Sequence, residues 1–167
     1  VARNAALGLF AERTSIRTEV SLRINAASTD LGRRDLDTLM SFLGRDDYAG
    51  TRPDALVLPK VSEPDEVRAI ELILRSLTQD HFPLIIQIET ARGVDAAMEI
   101  GAASENASAL LFGAIDLAAE IGCAVEWDAL LYSRSKVVLA AAAAGISAID
   151  APYMDVAALE ALGDESR

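Results

Sequence analysis

Five short apolar runs alternate along this chain with longer stretches of helical periodicity. The runs lie at about 19–25, 55–60, 83–89, 108–114 and 146–150. They are apolar at successive positions rather than at every second one, which predicts parallel strands covered on both faces. Between them, residues 32–43 place Leu36, Leu39, Met40 and Leu43 on one helix face. Residues 63–77 do the same with Val67, Ile70, Leu74 and Leu77. That helix is expected to start at Ser62 as N-cap, with Pro64 early and Asp65 in the capping-box position. Residues 93–103 carry Val94, Ala97, Met98 and Ile100, and a long helix over about 127–144 should stop at Gly145. The first ten residues are helix-like, and a last short helix is expected near Asp155. The order αβαβαβαβαβα means βαβ units around a parallel sheet, with residues 1–167 as a single domain. Five strands fit a small doubly wound sheet or part of a (β/α)₈ barrel, which takes about 250 residues when complete.

Composition narrows the function. The chain has 167 residues, 51 % of them apolar, and a formal net charge of −11. Such a chain can build a sizeable core but offers no basic face for nucleic acid. The single Cys123 excludes an intrachain disulfide and a cysteine zinc site, and reads as a small hydrophobe. No apolar run approaches the roughly 18–20 residues of a membrane-spanning helix, and the N-terminus carries no signal-peptide pattern. The expectation is a cytoplasmic protein without a membrane partner. The chain starts at Val1 in helix-like sequence and ends on the loop-like 163–167, and is read as a segment of a longer protein.

The chemistry is expected beyond the C-terminal ends of the strands, where ligands bind in both candidate architectures. That rule selects Arg23 and Asn25, Lys60, Glu89 and Thr90, Gly113 to Asp116, and Asp150. Glu89 and Asp116 each close an apolar run, and carboxylates so placed call for a partner. Together they can hold Mg²⁺ or Mn²⁺ and leave positions for water and substrate oxygens. Arg23 can grip a substrate carboxylate bidentately, and Gly113-Ala114 can bring backbone N–H groups close to a ligand. This set suits an anionic keto acid whose enolate a metal stabilises.

Each residue also has an ordinary structural reading. Glu89 can serve the N-terminus of the helix that follows it, and Asp116 can cap a short helix over Leu117–Ile121. Arg23 can sit in a structural ion pair, Lys60 can be a solvated strand-end lysine, and Asp150 can open a turn. His81, the one histidine, reads as uninvolved and rules out a Ser-His-Asp arrangement. Glycine-rich phosphate loops are absent.

The segments Leu22-Arg-Ile-Asn25, Leu56-Val-Leu-Pro-Lys60, Ile88-Glu-Thr-Ala-Arg-Gly93, Phe112-Gly-Ala-Ile-Asp-Leu117 and Ile149-Asp-Ala-Pro-Tyr153 occur in one order with fitting spacing. In this the chain resembles the citrate lyase beta-subunit-like family, which includes malyl-CoA and citramalyl-CoA lyases. The resemblance implies a (β/α)₈ barrel of the phosphoenolpyruvate/pyruvate-binding type, with Mg²⁺ held by Glu89 and Asp116. It implies that Arg23 binds the keto-acid carboxylate, and that Pro152 and the 113–116 backbone, with Gly113 and Ala114, line the pocket. The reaction it implies is reversible cleavage of a 3-hydroxyacyl-CoA thioester to acetyl-CoA, or a related thioester, and a 2-keto acid. It further implies a homo-oligomer, a trimer. Ile115 departs from the family by standing where an acidic residue is usual. The five strands would be the third to seventh of the barrel, so the barrel is expected to be incomplete here. Two other activities compete: a metal-dependent 2-keto acid aldolase acting on free acids, and a non-catalytic barrel homologue.

Overall fold

The computed structural model describes residues 2–11, 18–44, 52–77 and 81–152. Helix α1 (Ala2–Ala11) precedes strand β1 (Ser21–Arg23). Next come α2 (Asp30–Leu43), β2 (Ala55–Leu58), α3 (Pro64–Leu77), β3 (Leu84–Ile88), α4 (Ala91–Asp95) and α5 (Ala97–Gly101). Strand β4 (Ala107–Phe112), helices α6 (Ala114–Ile121) and α7 (Trp127–Ala144) and strand β5 (Ser147–Ile149) complete the order. The expected last helix near Asp155 lies outside the described residues.

The five strands form one parallel sheet in the order β1-β2-β3-β4-β5. Each crossover advances by one strand. Repeated right-handed βαβ connections of this kind put every helix on the same face, as in a (β/α) barrel wall. Leu56, Leu58, Leu84, Ile86, Ile88, Leu110 and Phe112 form the core on that face, with Leu36, Leu39, Val67, Ile70, Leu74, Ile100, Leu117 and Val137 from the helices. The alternate residues line the opposite face, where Arg23, Val57, Ile85, Leu111, Ser147 and Ile149 are exposed or half-buried while Ala55, Gln87 and Ala109 are buried. The expectation of a sheet covered on both faces therefore holds only in part among the described residues. The runs are apolar throughout because the second face is the inner wall of a barrel, where branched side chains pack in layers.

The β3–β4 register shifts between Leu84 and Ile85. Leu84 pairs with Ala107 and Ile85 with Ala109, so Ser108 is the extra residue, and its hydroxyl donates to the Leu84 carbonyl (3.0 Å).

Local signals explain most boundaries. Thr29 caps α2, accepting from the Gly32 N–H at 3.0 Å. At α3 it is Glu66, not Asp65, that reaches back, accepting from the N–H groups of Ser62 (2.9 Å) and Glu63 (3.1 Å). Asp65 pairs with Arg68 instead, because the true cap lies one residue later than the Ser62 signal suggests. The expected helix over 93–103 is two short helices, α4 and α5, and Met98 lies on their exposed side. Helix α7 ends at Gly145 in the left-handed conformation (φ 71°), as the sequence predicts. No helix among the described residues is long and apolar enough to cross a membrane.

Candidate active site

Glu89 follows β3 directly and is 1 % exposed. Both of its oxygens accept hydrogen bonds. Oε1 takes the backbone N–H of Lys60 (2.9 Å), and Oε2 takes the side-chain amide of Gln87 (2.7 Å). Gln87 is also buried, and its Oε1 has no partner among the described residues. Glu89 is not a helix cap. That role belongs to Thr90, which accepts from the Gly93 N–H at 3.0 Å. Thr90 also shares a hydrogen bond with Ser62 (2.9 Å), tying the loop after β2 to the loop after β3.

Asp116 comes from the neighbouring βα unit, in the first turn of α6, whose N-cap is Gly113. It caps nothing. Its carboxylate pairs with the Lys60 ammonium at 2.8 Å, and both side chains are about half exposed, 52 % for Lys60 and 46 % for Asp116. Lys60 is therefore not a free, solvated lysine. It adopts φ 57°, a left-handed conformation that non-glycine residues rarely take. This turn aims its N–H at Glu89 while its side chain reaches Asp116.

The electrostatics follow the geometry. Burial, reinforced by the nearby charge of Asp116, pushes the Glu89 carboxyl above its ordinary range. The hydrogen bond from Lys60 holds Asp116 below its range against a smaller opposing effect of burial. The same contact raises Lys60. Arg23 at the end of β1 acts on both carboxylates through its charge. Among the described residues its side chain makes no ion pair or hydrogen bond, so its exposed guanidinium is available to a ligand.

The remaining expected residues divide. Gly113 backs the site closely, but its N–H already donates to the Ile88 carbonyl (2.9 Å) in the sheet. The expectation that its N–H faces a ligand is corrected. Ala114 opens α6, where first-turn N–H groups have no intrahelical partner. Ile115 is exposed. Asp150 is engaged elsewhere: it takes the Arg134 guanidinium (3.0 Å) and the Ala151 N–H (2.7 Å). Asn25 donates to Asp35, and Pro152 is exposed beyond β5, with no described contact to the carboxylate pair.

The donor set fits a divalent cation. Two carboxylates from adjacent βα units converge, Glu89 just after β3 and Asp116 in the first turn of α6; one is desolvated, and an ammonium already meets the other. Among the described residues no third His, Cys, Asp or Glu joins them, so a hard cation here would complete its shell with water or substrate oxygens.

A family model described as HpcH/HpaI aldolase/citrate lyase matches residues 1–167. The chain belongs to that family. It is 33 % identical over 166 residues to the mitochondrial citramalyl-CoA lyase of Rattus norvegicus, covering 90 % of this chain and 47 % of the relative. The chain thus spans about half the length of the curated relatives it matches. Among solved structures it is similar to RipC from Yersinia pestis (TM-score 0.83, 34 % identity, 99 % of this chain and 68 % of that one). It is also similar to a Mycobacterium tuberculosis citrate lyase beta subunit complexed with oxaloacetate and magnesium (TM-score 0.68, 33 % identity, 87 % and 60 % covered). Family membership and fold agree with the motifs read from Leu22 to Tyr153.

Sequence reasoning underrated Lys60 and did not single out Gln87. A polar residue two positions before Glu89 in an apolar strand was the available signal, because it shares Glu89's face.

Proposed function

We propose that this chain carries the core of a Mg²⁺-dependent carbon–carbon lyase of the HpcH/HpaI aldolase/citrate lyase family. Its reaction would be reversible cleavage of a 3-hydroxyacyl-CoA thioester, of the citramalyl, malyl or citryl type, to acetyl-CoA and a 2-keto acid. The observation that carries the reading is the meeting of Glu89 and Asp116 from consecutive βα units, within reach of the charge of Arg23. Glu89 and Asp116 would hold the cation, which supplies Lewis-acid stabilisation of charge developing on oxygen as the carbon–carbon bond breaks.

The protein's own groups do the rest. The two donors on Glu89 hold its carboxylate in one orientation, so little reorganisation is required when substrate arrives. The Arg23 guanidinium offers a planar fork to the keto-acid carboxylate and thereby sets the direction of the reacting carbon. Free first-turn N–H groups of α6 favour anionic oxygen at that end of the site. In this mildly anionic site of an acidic chain, these local donors and not the net charge of −11 attract an anionic substrate.

Support also comes from the relatives, one named for a CoA-thioester lyase and one holding magnesium with a keto acid. The test compares citramalyl-CoA, malyl-CoA and free citramalate side by side, with Mg²⁺ and with chelator. Release of keto acid from a thioester only, dependent on Mg²⁺ and lost in Glu89→Gln and Asp116→Asn, is expected. Cleavage of the free acid instead would favour an aldolase, and Mg²⁺-independent cleavage would sink the metal role.

A further inference from the structure

One residue, Lys60, touches both carboxylates in two different ways. Its backbone N–H is fixed to Glu89 by the left-handed turn after Pro59. Its ammonium lies at the end of a flexible, half-exposed side chain against Asp116. The two contacts differ in permanence. The first is made by main chain beside a buried carboxylate. The second is a solvent-accessible ion pair, the kind whose net worth is small because the ammonium is well hydrated once released.

From this we infer that Lys60 is a tethered counter-cation that competes with the divalent metal for Asp116, and so sets the metal affinity of the site. The inference rests on the metal reading above. Among the described residues the Lys60 ammonium is the one positive group in direct contact with the carboxylate pair; Gln87 and the Lys60 N–H are neutral donors, and Arg23 acts only through its charge. A divalent ion brings twice the charge to the same place, and the ammonium so close to it opposes binding whether or not it keeps the same oxygen. The pair is thus never without a cation: the lysine covers Asp116 until metal replaces it, and the N–H keeps Glu89 aligned throughout. Lys60 is a positioning residue here, and its side chain and main chain have separable roles.

The separation gives the experiment. Mn²⁺ binding is measured by electron paramagnetic resonance on the full-length protein, for wild type, Lys60→Met and Lys60→Arg. Lys60→Met keeps the apolar stem and the N–H and removes only the charge, and is expected to bind Mn²⁺ roughly two- to fivefold more tightly, the range set by an exposed ion pair. Lys60→Arg keeps a cation and should stay near wild type. A residue with a merely structural role would weaken binding in both variants, so tightening in Lys60→Met alone is diagnostic. Equal or weaker binding by Lys60→Met, with wild type still binding, overturns the competition and leaves the metal site standing. No binding by any of the three proteins overturns both. If Lys60→Met does not fold, Lys60→Gln carries the same comparison.

Discussion

Gly113 lies directly against Glu89. A Cβ placed on Gly113 would sit 2.4 Å from the Glu89 Cβ and 2.8 Å from its Oε2. The φ of Gly113 is −102°, which any residue can adopt, so glycine is required here by space and not by backbone freedom. Gly113→Ala is expected to push Glu89 off its two donors. The overpacking should cost about 1–3 kcal/mol in a urea melt. Metal affinity should fall at the same time, whereas the exposed Ile115→Ala should leave both nearly unchanged.

Acid should weaken metal binding earlier than an ordinary carboxylate would. Burial and the charge of Asp116 raise Glu89 above its ordinary value of 4.5. Metal requires the ionised form, so the raised group takes up a proton, and releases metal, while the pH is still above that value. In metal-free protein the Glu89 carboxyl, followed by carbon NMR, should therefore titrate at a higher pH in wild type than in Asp116→Asn, which removes the neighbouring charge. Titration of Glu89 at the ordinary carboxylate value in wild type would contradict the raised group.

Asp35 should contribute stability that acid removes. Burial pushes its carboxyl up, but hydrogen bonds from the Asn25 backbone (2.8 Å) and side chain (2.7 Å) and the pairing with Arg3 outweigh this and hold it below 3.8. A depressed carboxylate stabilises the fold fully above its unfolded value and loses that contribution as pH falls through the folded one. Asp35→Ala, which also leaves the Asn25 N–H without its acceptor, should cost about 1–3 kcal/mol near neutral pH. The difference from wild type should shrink toward strongly acidic conditions in chemical denaturation.

Thr90 joins two loops of the site. Thr90→Val keeps the shape but removes the cap on Gly93 and the hydrogen bond to Ser62. A loss of about 1 kcal/mol is expected from the cap, and hydrogen exchange should quicken at Gly93 before it does in β3.

The strands were legible because parallel strands of a barrel are apolar at almost every position, and 83–89 and 108–114 carry that signature plainly. That Arg23, Glu89 and Asp116 come near one another was legible because residues at and just beyond the strand ends gather on one side in this architecture. Lys60 was not, since its partners lie 29 and 56 positions downstream and only the strand order brings them beside it. The face of the sheet without helices was misread in part for a related reason. Burial by helices and burial inside a barrel leave the same apolar run. Glu66 displaced Asp65 in the cap because two acids in succession satisfy the same pattern, and the backbone chooses between them.

Ser108, the extra residue in β4, has a consequence for what the strand can lose. It stands between Ala107, opposite Leu84, and Ala109, opposite Ile85, so the two flanks keep one register with or without it. With Ser108 deleted, Leu110 and Phe112 stay opposite Ile86 and Ile88, and Gly113 stays beside Glu89. A deletion at Leu110 has no such slack to draw on and reverses the facing of every residue after it, so the strand forgives a missing residue at its entrance and not at its middle.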